Sequence, residues 1–159
     1  MNTPEEIIKK LGYPRDNTSN LVRLQLPFPM VLAWDIKVTV TSFLCHPLIH
    51  DKLSTVYENL LKVYGLPKIK ELRIDRFGGC YAYRMQREST NKWSSHSWAI
   101  AVDHDPERNQ LKWNKSKASF AKPEYMDMMA IWYDAGFYNL GYEKDYDWMH
   151  FEYDISKLK

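Results

Sequence analysis

The sequence predicts an α+β fold in a single domain, and three observations carry that expectation. Two long stretches repeat apolar residues at helical spacing, and several short stretches alternate as strands do. The two kinds are interspersed, with no linker, repeat or low-complexity tract to divide them. At 159 residues, with 45% hydrophobic and 14% aromatic residues, the chain can build its own core.

The elements follow in order. Thr3-Pro4-Glu5-Glu6 predicts a helix start: Thr3 can cap, Pro4 suits the first helical position, and Glu6 completes a capping box. Ile7, Ile8 and Leu11 continue this helix and Gly12 ends it. Leu26-Pro27-Phe28-Pro29-Met30 reads as irregular packing chain. Residues 1–25 are therefore expected to be an N-terminal helix and connector, ahead of a core from about 26 to 159. Lys37 to Phe43 alternates as a strand. From about Pro47 to Tyr64, Leu53, Val56, Tyr57, Leu60, Leu61 and Tyr64 predict a helix that Gly65-Leu66-Pro67 stops, with His46-Pro47 as its start. Glu71 to Asp75 and Cys80 to Arg84 read as short strands flanking Gly78-Gly79. Trp98 to Asp103 is the strongest strand, Pro123 to Ala135 a second long helix closed by Gly136, and Trp148 to Ile155 a final alternating strand.

Bulk properties exclude several classes of function. A net charge of +2 without a dense Lys/Arg run argues against nucleic acid as a partner. No run is long enough to span a bilayer, and MNTPEEIIKKLGYPRDN carries acids where a secretory signal needs positive charge. The expectation is a protein made in the cytoplasm without a signal peptide. Cys45 and Cys80 are too few for a disulfide framework and lack C-x-x-C spacing, so they read as buried thiols, with a bridge between them left open.

The chemistry-bearing residues raise a geometric question. His96 and Asp103 are seven positions apart in SSHSWAIAVD. Seven residues of strand separate α-carbons by roughly 23 Å and seven of helix by about 10 Å. Ligands of one metal sit about 2 Å from it. To share an ion, His96 must lie on a loop that bends into the strand holding Asp103. In that strand Trp98, Ile100 and Val102 share one face, and Ala99, Ala101 and Asp103 share the other, which is small up to the carboxylate. In DWMHFEY, Met149, Phe151, Tyr153 and Ile155 form an apolar face, so His150 points the other way beside Trp148 and Glu152, with Asp147 three positions before it. These features alone favour a hydrogen-bonded structural histidine over a ligand. His46, His50 and His104 have no ligand spacing, and His104 faces away from Asp103. Glu152 reads either as a carboxylate orienting a ligand or, preferred here, as a solvated side chain. Tyr138, Tyr142 and Tyr146 read as core or rim packing.

The two segments together resemble peptidase family M15, the zinc D-alanyl-D-alanine carboxypeptidases and L-alanyl-D-glutamate peptidases. The first signature of that family, S-x-H-x-x-G-x-A-x-D, is met by Ser94, His96, Ala101 and Asp103. The second, an acid three residues before a histidine, is met by Asp147 and His150. The MHFE run is similar to the branch containing bacteriophage cell-wall lysins. Phe77 to Arg84 resembles the segment carrying a substrate-side arginine, with Arg87 the nearby substitute. Two positions depart: Ala99 stands where glycine is usual, and Trp148 where proline is common. If the bend at residue 99 needs a positive φ, alanine there is strained by about 1 kcal/mol.

The resemblance implies a Hedgehog/D-Ala-D-Ala peptidase-like fold, a small antiparallel sheet with flanking helices. It implies Zn²⁺ held by His96, Asp103 and His150, Asp147 as general base, and Arg84 as the group that neutralises an oxyanion or holds a substrate carboxylate. Arg84, Ser94 and Trp148 are the implied substrate-side residues. The implied partner is the stem peptide of bacterial peptidoglycan, cut by a monomeric phage endolysin that reaches the wall after release from the host cytoplasm, with neither nucleic acid nor membrane bound. The alternatives are a dipeptidase or carboxypeptidase acting on wall precursors, and a non-catalytic wall-binding module. Retention of Asp147 argues against the last.

Overall fold

A computed structural model describes residues 1–158, so Lys159 of the expected 1–159 domain lies outside the described residues. The chain runs α1 (Pro4–Leu11), β1 (Val22–Leu32), β2 (Asp35–Cys45), α2 (His50–Tyr64), α3 (Leu66–Glu71), β3 (Arg76–Gly79), β4 (Ala101–His104), α4 (Met126–Asp134), β5 (Phe137–Asn139), α5 (Leu140–Lys144) and β6 (His150–Tyr153). The strands form one sheet in the order β2-β1-β3-β4-β6-β5, antiparallel except for the β1–β3 pair. This is the α+β, mainly antiparallel fold that the sequence predicts.

α1 forms as its sequence dictates. Thr3 caps it, the Glu6 side chain completes the capping box, and Gly12 ends it. Its inward residue, Ile7, is buried in the main core. α2 begins at His50 after a single helical turn over Pro47–Ile49, whose cap is the His46 ring accepting from the Leu48 amide. Gly65 ends α2, but α3 starts at once instead of a loop.

Four strand expectations are corrected. The stretch from Leu26 to Met30 is part of β1, whose alternate residues Leu24, Phe28 and Met30 are buried. Its prolines hide the strand because they cannot donate to a ladder. The pairing accommodates them with a bulge: it breaks after Gln25↔Ser42 and resumes at Met30↔Val40, so Pro27 and Pro29 fall in the unpaired segment. The boundary expected at residue 25 consequently lies inside β1. Glu71 to Asp75 is not a strand but the close of α3, where Arg73 turns the chain at φ 59. The strand is β3, the Gly78-Gly79 stretch itself. Cys80 to Arg84 joins no strand, because its backbone is taken up by Ser97 Oγ and the His96 carbonyl. Trp98 to Asp103 is a strand only from Ala101 onward.

The core lies between the sheet and α2 and α4. Trp132 stacks on Phe151 at 4.4 Å, with Tyr57 and Phe137 edge-on to Trp132 at 5.8 and 5.1 Å. His104 points into this core, away from Asp103, as expected. Its Nδ1–H donates to the Arg76 carbonyl at 3.0 Å and its Nε2 accepts from the Tyr57 hydroxyl at 2.8 Å. Cys45 and Cys80 are buried free thiols. Among the described residues no helix is long and apolar enough to cross a membrane.

Burial lowers His104 from 6.5 to about 4, against the opposing bond to Arg76. Between those values the unfolded chain takes up a proton that the folded chain refuses, so stability falls as the pH drops. The expected loss is about 3 kcal/mol between pH 6.5 and 4. Urea titrations across that range should show a shallower pH dependence for His104→Gln than for the wild type; equal slopes would refute the assignment.

Candidate metal centre

The bend required between His96 and Asp103 is present, and Ala99 makes it. Ser95–Trp98 forms one turn of 3-10 helix, capped by Ser94 Oγ, which accepts from the His96 amide at 3.2 Å. Ala99 then adopts φ 56, ψ 41, the left-handed region, and the chain enters β4. The strained alternative for an alanine at this position therefore applies. Ala99 is fully buried, and its carbonyl accepts from the His46 amide at 3.0 Å, so surrounding structure holds the strain.

Asp103 reaches the site from β4, where it is paired directly with His150 on β6. Gly78 gives it room: a Cβ there would lie 3.0 Å from both the Asp103 Cβ and its carbonyl oxygen. Donor atoms of His96, Asp103 and His150 all lie within 4.8 Å of one another. His96 Nε2 is 3.2 Å from Asp103 Oδ2, and His150 Nδ1 is 3.2 Å from Asp103 Oδ1.

The outer nitrogen of each imidazole is anchored. His96 Nδ1–H donates to the Cys80 carbonyl at 2.8 Å, which leaves Nε2 with its lone pair facing inward. His150 Nε2–H donates to Glu152 Oε1 at 2.8 Å, with Ser95 Oγ 3.3 Å away. Glu152 is 6% exposed and its other oxygen accepts from Tyr138 Oη at 2.5 Å, so it is not the solvated glutamate favoured from sequence. It holds the His150 ring, and its place on the His150 face of β6 is the signal for that. Tyr138 belongs to the same group; Tyr146 lines the cleft, and Tyr142 is exposed beside Tyr133.

Burial alone would push Asp103 up, but His96 and His150 outweigh it and hold the carboxyl well below the usual range. Burial would lower His150, yet its bonds to Asp103 and Glu152 raise it well above 6.5. Glu152 is likewise lowered against its burial, by His150 first and then by Tyr138 and Ser95. Asp147 behaves oppositely. Burial pushes it up to about 6, with the charge of Asp103 adding and His150, His96 and Arg84 opposing. Its Oδ2 is 4.0 Å from His150 Nδ1, and it too sits at positive φ, 56. The guanidinium of Arg84 faces the same cleft, lowered by burial and by Arg87 and raised by Asp103 and Asp147.

The fit to a metal rests on one atom. His96 Nε2 is buried with no hydrogen-bond partner: with the ring proton on Nδ1, neither it nor the Asp103 oxygen 3.2 Å away has a hydrogen to share. An orphaned imidazole nitrogen is costly unless something accepts its lone pair. Two imidazoles, each with its outer nitrogen anchored, and one carboxylate form a donor set that zinc accepts.

The structure thus brings His96, Asp103, His150, Asp147 and Arg84 to one cleft of about 840 Å³, with Arg87 on its lining. Ser94 also lines it, but its hydroxyl caps the His96 turn. Trp148 is placed differently from expectation. It is 6% exposed and turned from the cleft, its ring over Gly141, where a Cβ would come within 2.0 Å of Cδ2. Its Nε1–H donates to Asp145 Oδ1 at 3.1 Å, steadying the turn that presents Asp147.

Together these features define a small α+β domain with three donor side chains grouped closely enough to hold a cation, and a carboxylate of raised pKa beside them. Residues 87–153, which hold all three donors and Asp147, match the family model described as D-alanyl-D-alanine carboxypeptidase, so this segment is similar to peptidase family M15. Arg84 lies just outside the matched segment. Neither the curated proteins nor the solved structures yield a match.

The bend at residue 99 can be tested by substitution. Ala99→Val adds β-branching at positive φ in a buried site and should cost at least about 2 kcal/mol. Ala99→Gly relieves the strain but loses a buried methyl, and should stay within about 1 kcal/mol of wild type. Chemical denaturation distinguishes these outcomes; equal effects from both would mean that backbone conformation is not the constraint.

Proposed function

We propose that this chain is a zinc-dependent peptidase that hydrolyses a bond involving a D-amino acid in the stem peptide of bacterial peptidoglycan, in the manner of a phage endolysin. The observation that carries the reading is the convergence of His96, Asp103 and His150 around the unpartnered His96 Nε2, with Asp147 adjacent. When bound, zinc supplies a Lewis acid that polarises a carbonyl and makes a water more acidic.

The chain's own groups do the rest. The Asp147 carboxylate takes a proton from the attacking water and returns it to the leaving amine. With its pKa near 6 it is ionised at neutral pH yet basic enough to exchange that proton. Arg84 pairs with the developing oxyanion or with a substrate carboxylate. Beside the Lys112–Glu88 ion pair, Arg87, Lys92 and Lys144 add positive charge along the cleft, which suits a stem peptide rich in carboxylates.

The description of the matching family favours a second reading, a D,D-carboxypeptidase acting on wall precursors. Purified protein incubated with intact sacculi and with free D-Ala-D-Ala separates the two, the new termini being identified by mass spectrometry. New termini within sacculi support the lysin; release of terminal D-Ala alone supports the carboxypeptidase. A chelator should abolish either activity, and an active chelated protein would exclude the metal. Asp147→Asn should lower kcat by roughly 10²–10⁴-fold with zinc still bound, measured by metal analysis of the same sample. Full activity in that variant would remove Asp147 as the base.

A further inference from the structure

We propose that Asn2 is a positioning residue for the cation site, acting through Glu152 on His150. The proposal rests on the reading of His96, Asp103 and His150 as metal ligands.

Asn2 is distant in sequence but makes a dense set of bonds at the back of the site. Its Nδ2 donates to Glu152 Oε2 at 2.6 Å and to the Tyr153 carbonyl at 2.7 Å. Its Oδ1 accepts from the Ile155 amide at 3.0 Å, and its own amide lies 3.2 Å from Tyr138 Oη. The bond from the Ile155 N–H fixes which end of the carboxamide is oxygen, so the NH₂ must face Glu152.

Both oxygens of Glu152 are then committed. Oε1 receives the His150 Nε2–H, while Oε2 is held by Tyr138 and Asn2. A carboxylate pinned at one oxygen by two donors has a fixed plane, and that plane sets the direction in which the His150 ring presents Nδ1. Removing the amide leaves Tyr138 alone on Oε2 and lets the carboxylate rotate. α1 serves as the mount: its capping box and the buried Ile7 fix the chain immediately after Asn2. Met1, Asn2 and Thr3 also line the cleft, so the N-terminal segment is part of the site and not only a connector.

The test uses the full chain and Zn²⁺ alone, with affinity measured by competition against a chromophoric chelator. Asn2→Ala should weaken zinc binding about tenfold, the lower end of what loss of a ligand-orienting group costs. Asn2→Asp keeps an acceptor for Ile155 but loses the donor to Glu152, and should weaken binding at least as much. Glu152→Gln should also weaken it, and adding Asn2→Ala to Glu152→Gln should change nothing further, because Asn2 acts through that carboxylate. Wild-type affinity in both Asn2 variants, or fully additive losses in the double variant, would overturn the proposal. So would a fall in the urea midpoint of Asn2→Ala with zinc affinity intact, which marks a purely structural tether. If the wild-type chain binds no zinc, the metal reading fails and this inference with it; if it binds zinc and only the Asn2 predictions fail, the metal reading stands.

Discussion

Everything at the site depends on the register between β4 and β6. Asp103 stands opposite His150 and Ala101 opposite Glu152, so one face of the pair carries the carboxylate, the imidazole and the acid that orients it. The small Ala101 leaves space beside Glu152. The other face carries Val102 opposite Phe151, both fully buried, with Phe151 stacked on Trp132. A slip of one residue would exchange the faces, sending Phe151 into the cleft and His150 into the core. Hydrophobic packing on one side thereby specifies polar geometry on the other.

The third member, His96, comes from a different kind of structure. It rides a single helical turn, fixed by the Ser94 cap, by its own Nδ1 on the Cys80 carbonyl and by the left-handed Ala99. These restraints are local, whereas those on His150 run through Glu152 to Tyr138 and the N-terminal residues. The two supports meet at Asp103 and again at Ser95, whose hydroxyl on the His96 turn lies 3.3 Å from His150 Nε2.

Much of this was legible in the sequence where local chemistry and tertiary packing agree. α1 was readable from its capping box, α2 and α4 from apolar spacing, and the inward face of β6 from alternation. The convergence of His96, Asp103 and His150 was legible because spacing forbade regular structure between His96 and Asp103, and because two motifs resembled one family. Legibility failed where tertiary partners replaced local ones. β1 hides behind prolines that a bulge absorbs, and the segment from Cys80 to Arg84 spends its backbone bonds on Ser97 and His96. Glu152 was misjudged because glutamates are ordinarily solvated, and only the fold reveals Tyr138 and Asn2 beside it. Asn2 carried no signal, since nothing near it in sequence points 150 positions ahead.

The indole of Trp148 lying flat on Gly141 carries a further implication. Since no side chain fits beneath that ring, the two positions are interchangeable only as a pair: a larger residue at 141 demands a smaller one at 148, which would release Asp145 and slacken the turn bearing Asp147. Anyone transplanting this loop into another scaffold would have to carry both residues together.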